Sequence, residues 1–152
     1  MFREPLSHAS SLLAMHKRYC DMQMQDPFGK EYMDWLAHHE FGLGQKPYRF
    51  PTTSNLPKGN PMELDYWIES WINHYQEALD IDDHNVHFIS YEAYCERPDE
   101  VFNYLVEACG IHLPMASYSP FENARRAEGV ANQERLGIAN QLYHKLLDKV
   151  KL

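Results

Sequence analysis

The sequence predicts a helix-rich fold of the α/β class with few strands. Residues 62–79 carry apolar side chains at a period of about 3.6, which indicates an amphipathic helix. A polar turn follows, and residues 86–91 are rich in strand-forming types, as in a short buried strand. Pro98 then begins another helical segment. Helix, turn, strand and helix in this order are typical of α/β proteins.

Length and charge limit the classes of protein to consider. We expect one domain over residues 1–152, since this length supports one core of ordinary size. The net charge of −8 argues against a general binder of nucleic acid or anionic membranes, because such partners need an extended basic face. The three cysteines form no C-x-x-C pair and are expected to be reduced and mostly buried. No signal peptide or membrane-spanning apolar run is apparent, so a soluble, cytoplasmic protein is expected.

Two helices and a long loop are predicted in the first part of the chain. The first helix runs from Pro5, which suits the first helical position, to about residue 21. Asp26 and Pro27 supply the cap and first turn of a second helix, which is expected to end near Gly42. Residues 43–61 contain four prolines and so cannot form a regular helix or a central strand. A loop this long in a compact domain is usually functional or mobile.

Two more helices are predicted after the strand. One runs from Pro98 to about Cys109, and Gly110 stands where a residue of left-handed conformation commonly ends a helix. The other covers about residues 133–150, where apolar side chains again recur at helical spacing.

The start of the chain is the most informative segment for function. Arg3 stands just before the helix that begins at Pro5, and Ser11 lies two helical turns further on. The unpaired N–H groups and positive dipole end of a helix start attract anions, and an arginine adds a planar fork of donors for phosphate oxygens. The alternative is that Arg3 is a solvated terminal charge and Ser11 an ordinary helix residue.

This spacing, Arg-x-Pro with a serine eight residues after the arginine, resembles the 3′-phosphate-binding segment of sulfotransferases that use 3′-phosphoadenylyl sulfate (PAPS). Further features in the order shown by that family are Trp67, Trp71, Tyr91-Glu92, Pro98 and Gly110-Ile111. The resemblance implies a partial P-loop NTPase-like fold and transfer of a sulfuryl group from PAPS to a hydroxyl or amine of a small molecule or glycan. It also implies that Arg3 and Ser11 bind the 3′-phosphate.

The resemblance assigns further residues to the nucleotide. Tyr91 would contact the adenine end, and Phe121, in a Ser-Pro-Phe-Glu stretch, would stack on adenine. Arg125 and Arg126 with Gly129 loosely resemble the Arg-Lys-Gly loop that closes over the 3′-phosphate. Because the spacing departs from the family's, solvated charges at Arg125 and Arg126 are an equal alternative.

Several expected parts of such an enzyme are missing from the sequence. No stretch fits the G-x-x-x-x-G-K-[ST] pattern of a P-loop. The resemblance therefore implies that this chain is the C-terminal part of a sulfotransferase, with the P-loop half and the catalytic residues upstream of Met1, and that it is inactive alone.

Two other interpretations of the sequence concern metal binding and protein interaction. No metal is expected, because His38, His39 and Glu40 are adjacent and the cluster of acids and histidines at residues 80–87 lacks EF-hand spacing. The alternative function is a non-catalytic helical interaction module that presents Trp35 and the proline-rich loop to a partner.

Overall fold

The computed structural model describes residues 1–50, 55–81, 85–111 and 129–151. Within these ranges the protein is built from six α-helices: α1 (Pro5–Gln25), α2 (Pro27–Trp35), α3 (Leu64–Leu79), α4 (Tyr91–Glu96), α5 (Pro98–Ala108) and α6 (Gln133–Leu147). The predicted positions of α1, α3, α5 and α6 are confirmed, although α1 is about one turn longer than expected and α6 ends three residues earlier.

Helix α3 is the centre of the packing, with α1 and α6 against it and against each other. Its apolar side chains recur every three or four residues, so one broad face is removed from water. The core formed there includes Ala9 of α1, Ile68 and Trp71 of α3, and Leu146 of α6. Burying one side chain of this size contributes roughly 1.5–3 kcal/mol. The helical period of the sequence therefore correctly predicted this helix and its buried face.

The first helix begins at Pro5, as predicted, but its start is capped by a residue that the sequence did not single out. The Glu4 carboxylate accepts hydrogen bonds from the backbone N–H groups of Leu6 at 3.0 Å and Ser7 at 2.7 Å. These are two of the donors that a helix start leaves unpaired.

The predicted end of α2 near Gly42 is wrong, because the helix ends at Trp35 and Ala37 has a left-handed φ of 56°. No residue of α2 is buried, so tertiary packing does not extend a helix that is weak by itself. Gly42 instead contacts α1, where its φ is +86° and a Cβ atom would lie 2.4 Å from Gln23 Oε1. Its N–H donates to Nδ1 of His16 at 3.2 Å. The glycine permits this close approach.

The predicted strand over residues 86–91 is not formed in the described part of the chain. Ser90 instead makes an isolated parallel bridge with Phe2, in which Phe2 N–H donates to Ile89 O at 2.8 Å and Tyr91 N–H to Phe2 O at 2.7 Å. Pro5 turns the chain into α1 directly after this bridge, so the pairing does not continue. Tyr91 is the first residue of α4, which Ser90 caps. The described residues are therefore helix-rich, and the sheet expected of an α/β fold is reduced to this bridge.

The proline-rich loop has no helix or strand in its described residues, which confirms the prediction. Hydrogen bonds between described residues attach it to α3: Tyr66 Oη to Gln45 Oε1 at 2.9 Å, Trp67 Nε1 to Pro61 O at 2.8 Å, Asn73 Nδ2 to Asn55 O at 2.8 Å, and Lys58 N–H to Glu69 Oε2 at 2.5 Å. The thiols of Cys20 and Cys95 are free and buried, whereas Cys109 is free and exposed.

Candidate anion-binding site

Arg3, Ser11 and Tyr91 lie together in the structure. Arg3 Nη1 donates a hydrogen bond to Ser11 Oγ at 3.2 Å. The Arg3 guanidinium carbon lies 4.8 Å from the centroid of the Tyr91 ring, which is cation–π distance. The structure thus brings together three of the five residues that the sequence proposed for nucleotide binding.

The bridge between Phe2 and Ser90 explains this arrangement, because Arg3 and Tyr91 each follow a bridge partner. Phe2 is 1% exposed and anchors the segment in the core, with edge-on contacts to Tyr75 and Tyr143. Trp71 Nε1 donates to the Arg3 carbonyl at 3.2 Å. With its backbone held on both sides, Arg3 directs its side chain along the first turns of α1 toward Ser11.

Glu92 joins three elements beneath the site. Its Oε1 accepts from the Glu4 N–H at 3.0 Å, and its Oε2 accepts from the hydroxyls of Ser90 and Tyr143, each at 3.0 Å. Burial, and then the Glu92 charge, raise the pKa of Tyr143 to about 12. Glu92 therefore connects the start of α1 to α4 and α6. In the sequence Glu92 stands out only as part of the Tyr91-Glu92 pair, because its role as a common acceptor depends on residues distant in sequence.

A cavity of about 360 Å³ opens around Arg3, Ser11 and Tyr91, and we call it the Arg3 cavity. This volume lies within the range typical of small-ligand sites and accommodates a phosphate with part of a nucleoside. The expectation that helix-start N–H groups would help to bind an anion is wrong for Leu6 and Ser7, because the Glu4 carboxylate already accepts from both. Anion binding here depends instead on the side chains of Arg3 and Ser11.

The Tyr91 ring presents its face to Arg3. Interaction with the Cys95 thiol, one turn along α4, and then burial raise the pKa of Tyr91. Tyr91 therefore lines the Arg3 cavity with its ring face turned to the guanidinium.

His8 is a site residue for which the sequence analysis proposed no ligand role. It lines the Arg3 cavity and also a second cavity beside it. Burial, followed by the positive charge of Arg3 and the proximity of His74, lowers the pKa of His8 to about 4. Its imidazole is therefore neutral near pH 7. The available signal was its position one turn before Ser11 on the same helix.

The other predicted site residues, Phe121 and Arg126 together with Arg125, lie outside the described residues. Among the described residues, no group of three His, Cys, Asp or Glu side chains is arranged to hold a metal ion. His38 and His39 face different carboxylates, those of Glu40 and Asp34. In the same ranges no helix is both long and apolar enough to cross a bilayer.

Comparison with known proteins gives no match. No family model fits the chain, and no curated protein or solved structure shows significant similarity to it. Function is therefore inferred from the geometry around Arg3 and from the resemblance of the motifs.

Proposed function

We propose that the chain forms the nucleotide-binding part of a PAPS-dependent sulfotransferase of the P-loop class. The observation that supports this most strongly is the contact of Arg3 with Ser11 beneath the Tyr91 ring. Motif resemblance assigns all three residues to one nucleotide, although Tyr91 is 80 positions from Ser11. Their meeting in one cavity is what a shared ligand requires.

In this proposal Arg3 and Ser11 bind the 3′-phosphate. Ser11 Oγ accepts from Arg3, so its hydroxyl proton is available to donate to a phosphate oxygen beside the guanidinium. The planar guanidinium offers a fork of donors that matches two phosphate oxygens. The Tyr91 ring would pack against the Arg3 guanidinium and contact the adenine end of the nucleotide. Phe121 would stack on adenine, and Arg126 would close over the 3′-phosphate.

The reaction would transfer a sulfuryl group from PAPS to a hydroxyl or amine acceptor. Chemistry of this kind depends on positioning and charge stabilisation, as in phosphoryl transfer. This chain's residues would orient the nucleotide through its 3′-phosphate and adenine. A P-loop lysine and an acceptor-activating base are not among the residues assigned here.

Calorimetric titration of adenosine 3′,5′-bisphosphate (PAP), the product nucleotide, tests the proposal. The wild-type chain should bind PAP saturably. Arg3→Lys keeps the charge but loses the planar fork, so PAP affinity should fall by about 1.5–3 kcal/mol, or roughly one to two orders of magnitude. Ser11→Ala should reduce affinity by about 1 kcal/mol.

Two controls make the test specific to the 3′-phosphate. Adenosine 5′-phosphate lacks this group, so Arg3→Lys should leave its weaker binding nearly unchanged. Arg18→Lys makes the same change at an exposed position of α1 and should not alter PAP binding. Equal weakening of both nucleotides by Arg3→Lys, or of neither, would show that Arg3 does not recognise the 3′-phosphate.

A second candidate function, a helical interaction module, is favoured by the exposed surface of α2. Phe28, Tyr32 and Trp35 are 58%, 50% and 66% exposed, and the Phe28 ring lies about 6 Å from each of the other two. Grouped exposed aromatic rings are typical of protein-binding surfaces. This function predicts no saturable binding of PAP, so the same calorimetry distinguishes the two.

A further inference from the structure

The region from Pro27 to Leu43 comprises α2 and the turn that follows it, and we call it the α2 arm. It packs on α1. No side chain of α2 is buried, so this helix gains little from packing on the rest of the domain. Ala37, just after it, has a left-handed φ of 56°, a conformation that is strained for a residue with a Cβ atom. The arm therefore depends on the contacts at its C-terminal end to stay in place.

Two buried side chains of α1 hold that end of the arm. His16 Nδ1 accepts a hydrogen bond from the Gly42 N–H at 3.2 Å. Gln23 Oε1 accepts from the next backbone donor, the Leu43 N–H, at 2.7 Å. The His16 and Gln23 side chains are 4% and 3% exposed. We call this pair of bonds the His16 latch, because it joins the arm to α1 through consecutive backbone donors.

The latch requires a neutral His16. An imidazole nitrogen that accepts a hydrogen bond carries no proton, so the proton of the neutral ring is on Nε2. Nε2 lies 3.6 Å from the sulfur of Cys20, a weak acceptor one turn further along α1. A second proton, on Nδ1, would face the Gly42 N–H and set donor against donor inside a buried contact. A protonated His16 and a closed latch therefore exclude each other.

The surroundings of His16 do not compensate for a positive charge. On α1 it meets the Cys20 thiol, and on α3 the Trp67 ring, whose centroid lies 5.5 Å from that of the imidazole. Burial lowers the pKa of His16, and no charged group takes part in this shift. When the arm opens and water reaches the ring, the pKa returns toward its ordinary value. Opening is therefore coupled to the uptake of a proton, and acid favours it.

The other histidines of the arm act in a different place. His38 Nδ1 lies 3.6 Å from Glu40, and His39 Nδ1 lies 3.7 Å from Asp34. Both carboxylates belong to the arm itself, so these pairs do not tie it to α1. Protonation of His38 or His39 strengthens the attraction within each pair. Acid-driven opening therefore cannot come from these two residues.

Phe41 connects the latch to the Arg3 cavity. It directly precedes Gly42 and stacks between Trp67 and Tyr19, with ring centroids 5.5 Å and 6.0 Å away. The same ring lines the Arg3 cavity. Release of Gly42 from His16 would therefore withdraw one wall of that cavity.

We propose that the His16 latch is an acid-sensitive switch: protonation of His16 releases Gly42, and the α2 arm opens while the core of α1, α3 and α6 stays folded. Opening also withdraws Phe41 from the Arg3 cavity. The opening does not depend on what that cavity binds, whereas its effect on nucleotide binding rests on the proposed function.

Hydrogen–deuterium exchange with mass spectrometry measures opening of the arm separately from global unfolding. Protection of the amides of Gly42 and Leu43, corrected for the intrinsic exchange rate, should fall between pH 7 and pH 5. The fall should reach at most about 25-fold, the limit for one histidine whose pKa in the open arm is about 6.5. Amides within α3 should stay more protected than those of the arm at both pH values.

Variants of His16 separate its titration from its hydrogen bond. His16→Gln keeps an acceptor for the Gly42 N–H but cannot titrate, so protection of the arm should change less than about threefold over the same range. His16→Leu removes the acceptor and should lower protection already at pH 7. Urea unfolding shows whether each variant is folded, and His16→Gln decides the question if His16→Leu is not.

Three control variants exclude other causes. His38→Gln changes an exposed histidine of the same arm and should follow the wild type. His8→Gln should keep most of the pH dependence of the arm, since His8 does not take part in the latch. Ala37→Gly relieves the left-handed strain and should raise protection roughly threefold at both pH values without altering its pH dependence.

Two results would overturn the switch. One is a loss of arm protection in acid that is the same in the wild type and in His16→Gln, because His16 would then not be the group that titrates. The other is equal protection of the arm and of α3 at pH 5, because the opening would then be global unfolding. Constant protection of the wild-type arm from pH 7 to pH 5 has the same consequence.

Parallel titrations with PAP separate this inference from the proposed function. Acid opening of the arm that depends on His16, in a chain that does not bind PAP at pH 7, would support the latch and remove the nucleotide site. Saturable PAP binding by a chain whose arm shows no dependence on pH would overturn the latch and leave the nucleotide proposal standing.

Discussion

The partly buried, neutral His8 should make the stability of this protein depend on pH between about 4 and 6.5. An unfolded histidine has a pKa of about 6.5, whereas folding lowers the pKa of His8 to about 4. Between these values the unfolded chain binds a proton that the folded chain does not, so the free energy of unfolding rises with pH. In the folded state burial and the charge of Arg3 disfavour protonation of His8. The negative charge of Glu92 favours it, but this effect is smaller.

The size of the effect follows from the difference in pKa. Lowering the His8 pKa from about 6.5 to about 4 changes the free energy of unfolding by about 3 kcal/mol between neutral pH and pH values below both pKa values. Between pH 7 and pH 5, where few carboxylates titrate, the part due to His8 is about 2 kcal/mol. The contribution is lost as pH falls through the unfolded pKa, and the loss is complete below the folded pKa.

Urea unfolding followed by tryptophan fluorescence at pH 5, 6 and 7 measures this difference. His8→Gln cannot titrate, so it should lose about 2 kcal/mol less than the wild type between pH 7 and pH 5. His144→Gln, at an exposed position of α6, is the matched control and should follow the wild type. His16 is also buried with a lowered pKa and should retain its own contribution in both variants. If His8→Gln and the wild type lose the same free energy over this range, His8 is not held neutral by the fold.

Further predictions concern Glu92, Gly42 and catalysis. Glu92→Ala removes the acceptor of three hydrogen bonds and should lower the free energy of unfolding by at least about 2 kcal/mol. Tyr143→Phe removes one of these bonds and should lower it by about 1 kcal/mol. Equal losses of the two variants in urea unfolding would contradict the shared role of Glu92. Gly42→Ala places a Cβ atom against Gln23 at a φ of +86° and should lower the free energy of unfolding by about 1–3 kcal/mol. Gly59→Ala, at a φ of +106° with no neighbour within 4 Å, should lower it less in the same urea unfolding measurement. Exchange of residues 42–61 for a related loop in a full-length enzyme should change acceptor preference; an unchanged acceptor profile would show that the loop is only surface. Incubation of the purified chain with PAPS and an acceptor panel should give no turnover, because the sequence has no P-loop lysine motif, and heat-labile sulfation would refute this.

Local sequence signals predicted most of the helices correctly. The proline at the first position of α1 and of α5, and the left-handed Gly110 after α5, act within one or two turns, so they are visible without tertiary structure. The apolar period of α3 likewise reports a buried face whatever lies against it. The cap and proline also placed the start of α2 correctly at Asp26 and Pro27, but its end was wrong, since no residue of α2 is buried and packing does not prolong it.

The candidate site could be predicted only as separate pieces. Arg3 stands just before α1 and Ser11 lies about two turns into it, so a long guanidinium side chain can reach the hydroxyl along the helix. Their meeting with Tyr91 depends on the single bridge between Phe2 and Ser90, and no local pattern encodes that pairing. The predicted strand failed because a strand needs a neighbour paired along its length, and in the described residues the pairing of Ser90 with Phe2 ends where Pro5 begins α1.

The sequence by itself determined that the described residues are rich in helix, that an amphipathic helix ends at Leu79, and that Arg3 stands at the start of α1. Only the tertiary structure decided what surrounds these elements: the Glu4 cap on the helix-start donors, the Glu92 junction and the neutral His8 between two cavities. Helix formation is a matter of nearest neighbours and periodicity, whereas burial, pKa and cavity shape depend on residues brought together from distant parts of the chain.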